Sequence, residues 1–112
     1  MAITAFNFSS TPKATYVYDH TEYNWGGTIK QTIGKGLYYI LCAAKRSERG
    51  GWPDNSVSIE GDVTIVDQTY GGGIEYQCFT RIVKVNSGTA TVTFYNGRAD
   101  RDSHTFQIVQ IK

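Results

Sequence analysis

Two tryptophans lie in polar, glycine-rich segments, where an exposed indole ring is costly unless it packs on the protein or meets a ligand. Trp25 stands in EYNWGG and Trp52 in GGWPDN. Aromatic faces beside short polar side chains suit a sugar, because its C–H face lies on the ring while its hydroxyls bond the polar neighbours. The alternative is that each indole closes one end of a β-structure. The ligand-binding residues that this pattern predicts are Tyr23, Trp25, Trp52, Asp54 and Asn55.

The two histidines, His20 and His104, each have carboxylates nearby in sequence. Hydrolysis would require a nucleophile and a base in one cleft, and neither histidine lies in a nucleophile motif. Their spacing is not that of zinc-finger ligands. The segment Asp100-Arg101-Asp102 offers too few oxygens for calcium, which takes roughly six to eight. We therefore expect a protein that is not an enzyme, with no catalytic residue, no metal site and no cofactor.

Cys42 and Cys78 both lie inside apolar stretches. We expect no export signal, and a reducing site of synthesis favours free thiols. We expect both to be buried and reduced. A disulfide stays open as the alternative if the fold brings the two Cα atoms within about 7 Å.

The composition indicates β-structure. Ile, Val and Thr together supply 31 of 112 residues, whereas Leu occurs only at positions 37 and 41. β-branched side chains suit strands and lose rotamer freedom in helices. With 11 basic and 10 acidic residues, the net charge of +1 argues against nucleic-acid binding. The longest apolar run, residues 37–44, is far below the roughly 20 residues of a membrane helix, so we expect a water-soluble chain without membrane insertion.

Hydrophobic alternation and turn residues predict eight or nine short strands. Gly61-Asp62 and Asn86-Ser87-Gly88 are predicted as tight reversals, because Gly and Asn tolerate the positive φ of hairpin turns. A strand spacing near ten residues favours one domain, residues 1–112, folded as a two-sheet antiparallel β-sandwich of jelly-roll type. The predicted strands are residues 3–8, 15–18, 28–33, 36–45, 56–60, 63–68, 74–85, 89–95 and 105–111.

Two predicted strands, residues 37–44 and 74–85, carry apolar side chains on both faces. One small core cannot cover both faces, and surplus apolar surface usually marks an interface. We therefore expect a homo-oligomer of closed symmetry, with a trimer preferred.

The run GLYYI at residues 36–40 resembles the central strand of the tumour-necrosis-factor and C1q jelly-roll superfamily. More broadly, GLYYILCAAK, IEYQCFTRIVKV, SGTATVTFYN and FQIVQIK are similar in layout to the small β-sandwich head domains and accessory proteins of bacteriophage tails. This resemblance implies a tail-associated protein that contacts a host surface and resides in the virion, or in the host cytoplasm before lysis. The alternative from a different class is a free-standing bacterial carbohydrate-binding, lectin-like protein.

Overall fold

Every element that the structure describes is a β-strand. The computed structural model describes residues 15–23, 27–45, 55–72, 76–96 and 103–112. The prediction of an all-β protein is confirmed. No helix in these ranges is long and apolar enough to cross a membrane, and the predicted strand at residues 3–8 lies outside them. The strands are β1 (Thr15–Tyr23), β2 (Gly27–Ile33), β3 (Gly36–Lys45), β4 (Ser56–Gly72), β5 (Tyr76–Asn96) and β6 (Ser103–Gln110).

Strand β3 lies in the middle of a single antiparallel sheet. The sheet has the order β1-β6-β3-β5-β2, and β4 pairs with β5 along most of its length. Because β3 is paired on both sides, with β5 and with β6, it can carry the longest apolar run of the chain. Its boundaries, Gly36–Lys45, are those predicted from the sequence.

Both predicted reversals are wrong, because β4 continues through Gly61 and β5 continues through Gly88. Both glycines do have positive φ, 141° at Gly61 and 65° at Gly88. They lie at an irregularity in the β4–β5 pairing, where Asp62 lies opposite Ser87 and the register of the two strands shifts on both sides of this pair. Such bulges bend a strand and increase its twist. On one side of the bend β5 pairs with β3, and on the other side it pairs with β2.

The core fills the concave side of this bent sheet. Phe94, from the β2-paired half of β5, packs edge-on against Phe106 of β6, with ring centroids 5.5 Å apart and a 66° angle between planes. The described strands thus form one curled sheet that closes over its own concave face, and a division into two separate jelly-roll sheets is not confirmed. The buried apolar residues are Ile33, Tyr38, Ile40, Cys42, Ala44, Val83, Val85, Ala90, Val92, Phe94, Phe106 and Ile108.

The two cysteines are free, but only Cys42 is buried. Cys78 is partly exposed, so the prediction that both thiols are buried is wrong for it. The register explains the difference: Cys42 pairs with Phe79, and Cys78 pairs with Ala43. Successive side chains of a strand point to opposite faces, so Cys42 enters the core while Cys78 lies on the convex face.

We expect iodoacetamide at pH 8 to modify one of the two thiols much faster than the other. Burial raises the pKa of the Cys42 thiol to about 12, although nearby Arg81 acts in the opposite direction. Because the thiolate is the reactive form, brief treatment of the native protein should modify Cys78 alone. Both cysteines should react in denaturant. Peptide mass spectrometry measures this, and equal modification of the two in native protein would contradict the burial of Cys42.

Candidate ligand-binding surface

Three of the five predicted ligand-binding residues, Trp25, Trp52 and Asp54, lie outside the described residues. Tyr23 ends strand β1, where its backbone lies opposite Ser103. Asn55 comes directly before β4 and is buried, with 4% of its surface exposed. Its position is therefore that of an anchor under a surface rather than of an exposed loop side chain.

Asn55 is connected through a buried amide to an exposed aromatic ring. Its backbone N–H donates to Oε1 of Gln77 at 2.9 Å, and Nε2 of Gln77 donates to the hydroxyl oxygen of Tyr70 at 3.2 Å. A backbone N–H can only donate, so it selects the oxygen end of the Gln77 amide and turns the nitrogen end towards Tyr70. Gln77 is only 3% exposed. A side chain fixed inside the protein thus sets the position of the Tyr70 hydroxyl.

The Tyr70 ring is 57% exposed although it belongs to a strand and faces the concave side of the sheet. It lies opposite Phe79 of β5, with ring centroids 5.0 Å apart and planes tilted by 45°. Phe79 is half-buried and packs against the core cluster. Offset and tilted ring pairs are favourable contacts, so Phe79 helps to hold the Tyr70 ring in place while more than half of the Tyr70 surface stays exposed.

Arg81 adds positive charge to the same surface. Its guanidinium carbon lies 5.8 Å from the centre of the Phe79 ring, within the range of a cation–π contact. Nη1 of Arg81 donates to the carbonyl oxygens of Thr69 at 3.2 Å and of Thr80 at 2.8 Å. We call Tyr70, Gln77, Phe79 and Arg81 the Tyr70 platform.

Local sequence explains why this ring stays open. Gly71 and Gly72 follow Tyr70 in β4, and Gly72 lies opposite Gln77 on the face that Tyr70 occupies. Strand β4 itself therefore places no side chain beside the ring in that direction. The prediction from sequence did not include Tyr70. The run TYGGG nevertheless combines an aromatic residue with glycines, which is the feature on which the prediction of Trp25 and Trp52 was based.

His20 and His104 meet across β3 from the Tyr70 platform, in the same row of the sheet as Gln77, because Ala44 of β3 lies opposite both His104 and Gln77. Nε2 of His104 lies 2.8 Å from Nδ1 of His20, and His104 is only 1% exposed. The His104 ring also lies 6.1 Å from the ring of Phe94. Within the described strands, no group of three or more His, Cys, Asp or Glu side chains could hold a metal ion. The pair acts as a polar contact that holds the edge strand β1 against β6.

Comparisons of the chain with protein families, with curated proteins and with solved structures find no match. The geometry of the chain itself is therefore the basis of the functional proposal.

Proposed function

We propose that the protein is a non-catalytic recognition module that binds a glycan at the Tyr70 platform. The observation that carries the proposal is the exposed Tyr70 ring, held from below by Phe79 and at its hydroxyl by the buried Gln77. A ring that is exposed yet held in place costs little conformational entropy when a ligand binds. Such preorganisation is a general source of affinity.

The chemistry of the platform suits a sugar better than a purely apolar ligand. The open face of Tyr70 can receive the C–H face of a pyranose, while its hydroxyl can both donate and accept a hydrogen bond. Arg81 carries further N–H donors besides Nη1, which can reach ligand oxygens. Asn55 is joined to the platform through Gln77. Trp52 and Asp54, which precede Asn55 in the sequence, and Trp25 and Tyr23 remain candidate ligand-binding residues because of their residue types.

The proposal predicts that Tyr70→Ala reduces glycan binding at least tenfold. Loss of the ring removes the apolar contact that a bound sugar would make, whereas the core beneath it keeps Phe79. The wild type is first tested on a glycan array, and affinities for the strongest ligand are then measured by calorimetry. Tyr16→Ala is the matched control, because Tyr16 is 61% exposed and Tyr70 is 57% exposed. It should bind like the wild type.

Two different results would contradict the proposal at two different points. An array on which the wild type binds nothing contradicts glycan recognition, and equal loss in the Tyr16 and Tyr70 variants contradicts the placement at the platform. Tyr70→Phe, which keeps the ring and removes the hydroxyl, should retain most of the binding. Melting temperatures of all variants, measured in parallel, exclude unfolding as the cause of any loss.

We further propose that the module is associated with a bacteriophage or prophage tail, in a structural or receptor-binding role in the virion. Support comes from the layout of the segments at residues 36–45, 74–85 and 87–96, which resembles that of small tail proteins. The alternative remains a free-standing bacterial lectin-like protein, which the same platform would serve. The neighbouring genes discriminate between the two classes, because tail, holin and lysin genes would accompany a tail component.

Self-association is part of this proposal. Tyr39 and Leu41 of β3 alternate with buried Tyr38 and Ile40 and therefore lie on the convex face of the sheet, where they are partly exposed. Ile82 and Val109 are the neighbours of Tyr39 on the two adjacent strands. An apolar strip on a central strand favours a contact between copies, and we propose a closed trimer.

Light scattering at high micromolar concentration should give three times the chain mass of 12.5 kDa. Leu41→Asp should shift the population to monomers, because a carboxylate in an apolar contact is unpaired and desolvated. Thr32→Asp, at an exposed position of β2, is the matched control and should leave the trimer intact. A wild type that is monomeric at this concentration contradicts the proposal.

A further inference from the structure

A cleft of about 360 Å³ lies on the part of the sheet away from the Tyr70 platform. It is lined by Lys35, Gly36, Leu37, Lys84, Val85 and Lys112. Three of these six residues are lysines, and among the residues that the structure describes no Asp or Glu side chain lines the cleft beside them. Since the whole chain has a net charge of only +1, this is a local concentration of positive charge.

Three separate segments bring the lysines together. Lys35 stands between β2 and β3, while Lys84 lies on β5 beside Leu37 in the β3–β5 register. The segment that follows β6 is fixed to the start of β3 by backbone hydrogen bonds. Leu37 N–H donates to the carbonyl of Lys112 at 2.8 Å, and Ile111 N–H donates to the carbonyl of Leu37 at 2.8 Å. The position of Lys112 beside the other two is thus set by the backbone.

Gly36 is required for this closure. Its φ is +151°, and a Cβ atom there would lie 2.8 Å from Nε2 of Gln110 and 2.9 Å from the carbonyl oxygen of Lys112. A contact with a backbone oxygen at that distance cannot be relieved by turning a side chain. The close approach of Lys112 to β3 therefore depends on a glycine at this position.

We propose that this cleft binds the oxyanion of an organic phosphate or sulfate ester. The three ammonium groups would neutralise the oxyanion, and the carbon skeleton of the ligand would contact Leu37. Lysine is a common phosphate ligand, and the volume is at the lower end of the roughly 300–1,000 Å³ of small-molecule sites. Bringing three like charges together is unfavourable until an anion joins them.

This site is distinct from the Tyr70 platform. Phe79 and Lys84 both belong to β5, but Phe79 lies opposite the buried Cys42 whereas Lys84 lies opposite Leu37. Phe79 is therefore on the concave face and Lys84 on the convex face. The inference is independent of the proposed glycan site, and either can fail without the other.

Calorimetry at low ionic strength with glucose 6-phosphate, glucose 6-sulfate and neutral glucose tests the site. We expect the wild type to bind both esters and not glucose at the same concentration. Lys84→Gln and Lys35→Gln should each weaken ester binding about fivefold or more, because each removes one charge-assisted contact. Lys30→Gln is the matched control: Lys30 is exposed on β2 and is not among the residues lining the cleft. It should bind like the wild type.

The proposal is overturned if the wild type binds neither ester. It is also overturned if the Lys30 and Lys84 variants lose ester binding equally, because equal loss indicates attraction by net charge alone. A second arm uses dextran sulfate to identify the source of the ester. If dextran sulfate binds with the same affinity per sulfate group as glucose 6-sulfate, the result supports a free small-molecule ligand. Affinity more than tenfold tighter per sulfate, lost in Lys84→Gln and kept in Lys30→Gln, supports an ester carried on a surface polysaccharide.

Discussion

Phe106→Ala is expected to lower the free energy of unfolding by about 3–5 kcal/mol, as large-to-alanine changes in well-packed cores do. Phe106 is fully buried. Its ring meets Phe94 at 5.5 Å and Tyr18 at 5.2 Å between centroids, both edge-on. It therefore contacts β1 and β5, and its loss opens a cavity where the two halves of the curled sheet meet.

Urea denaturation followed by circular dichroism measures this change. A loss of this size is a large share of the roughly 5–15 kcal/mol by which domains are stable, so the variant should unfold at much lower urea concentration. Tyr16→Ala is the control at an exposed position and should change stability by no more than about 0.5 kcal/mol. A loss below about 1 kcal/mol in Phe106→Ala would contradict the packing described for the core.

Gly61→Ala is expected to cost at least about 2 kcal/mol, because it combines an unfavourable backbone conformation with a steric clash. Gly61 has φ +141°, and a Cβ atom there would lie 2.8 Å from the carbonyl oxygen of Thr89 and 3.0 Å from Cα of Ala90. Both contacts are with the backbone of the paired strand. The bend that carries β4 and β5 from one half of the sheet to the other would have to shift.

Gly34→Ala is the matched control, because a Cβ atom at Gly34 would meet nothing within 4 Å beyond its chain neighbours. We expect it to leave the melting temperature nearly unchanged, whereas Gly61→Ala lowers it by several degrees. Equal melting temperatures of the two variants would show that the chain does not need a glycine at the bend.

Alternation predicts the strands and their buried faces wherever one face meets the core. The segment TATVTFY predicts that Ala90, Val92 and Phe94 share a face, and all three are buried. Strand β3 is also predicted with both of its ends, but from its continuous apolar run rather than from alternation. Burial on one face selects residue types at every second position, so this information is present in the local sequence.

The course of the long strands could not be predicted in this way. A glycine with positive φ serves a hairpin turn and a bulge equally well, so the local sequence at Gly61 and Gly88 predicts two reversals where the structure has one bend. Only the partner strand distinguishes the cases. Strand β4 remains paired with β5 on both sides of the bend, and this pairing depends on contacts distant in sequence.

The candidate sites depend on register even more strongly. Tyr70 and Phe79 become neighbours only because β4 and β5 pair at those positions. The contact between His20 and His104 joins residues that are 84 positions apart. Residue types alone predict an aromatic and polar binding surface at the two tryptophan segments. They do not predict Tyr70, because its place beside Phe79 depends on how β4 and β5 pair.

The most direct test of the proposed function is a titration of labelled protein with its strongest neutral glycan, followed by NMR of the backbone amides. Recognition at the Tyr70 platform predicts that the largest shift changes cluster at residues 68–72 of β4 and 77–81 of β5. The convex face around Leu37 and Lys84 should change little. Changes that saturate with the glycan but leave residues 68–72 and 77–81 unaffected would contradict the assignment of the platform as the binding site.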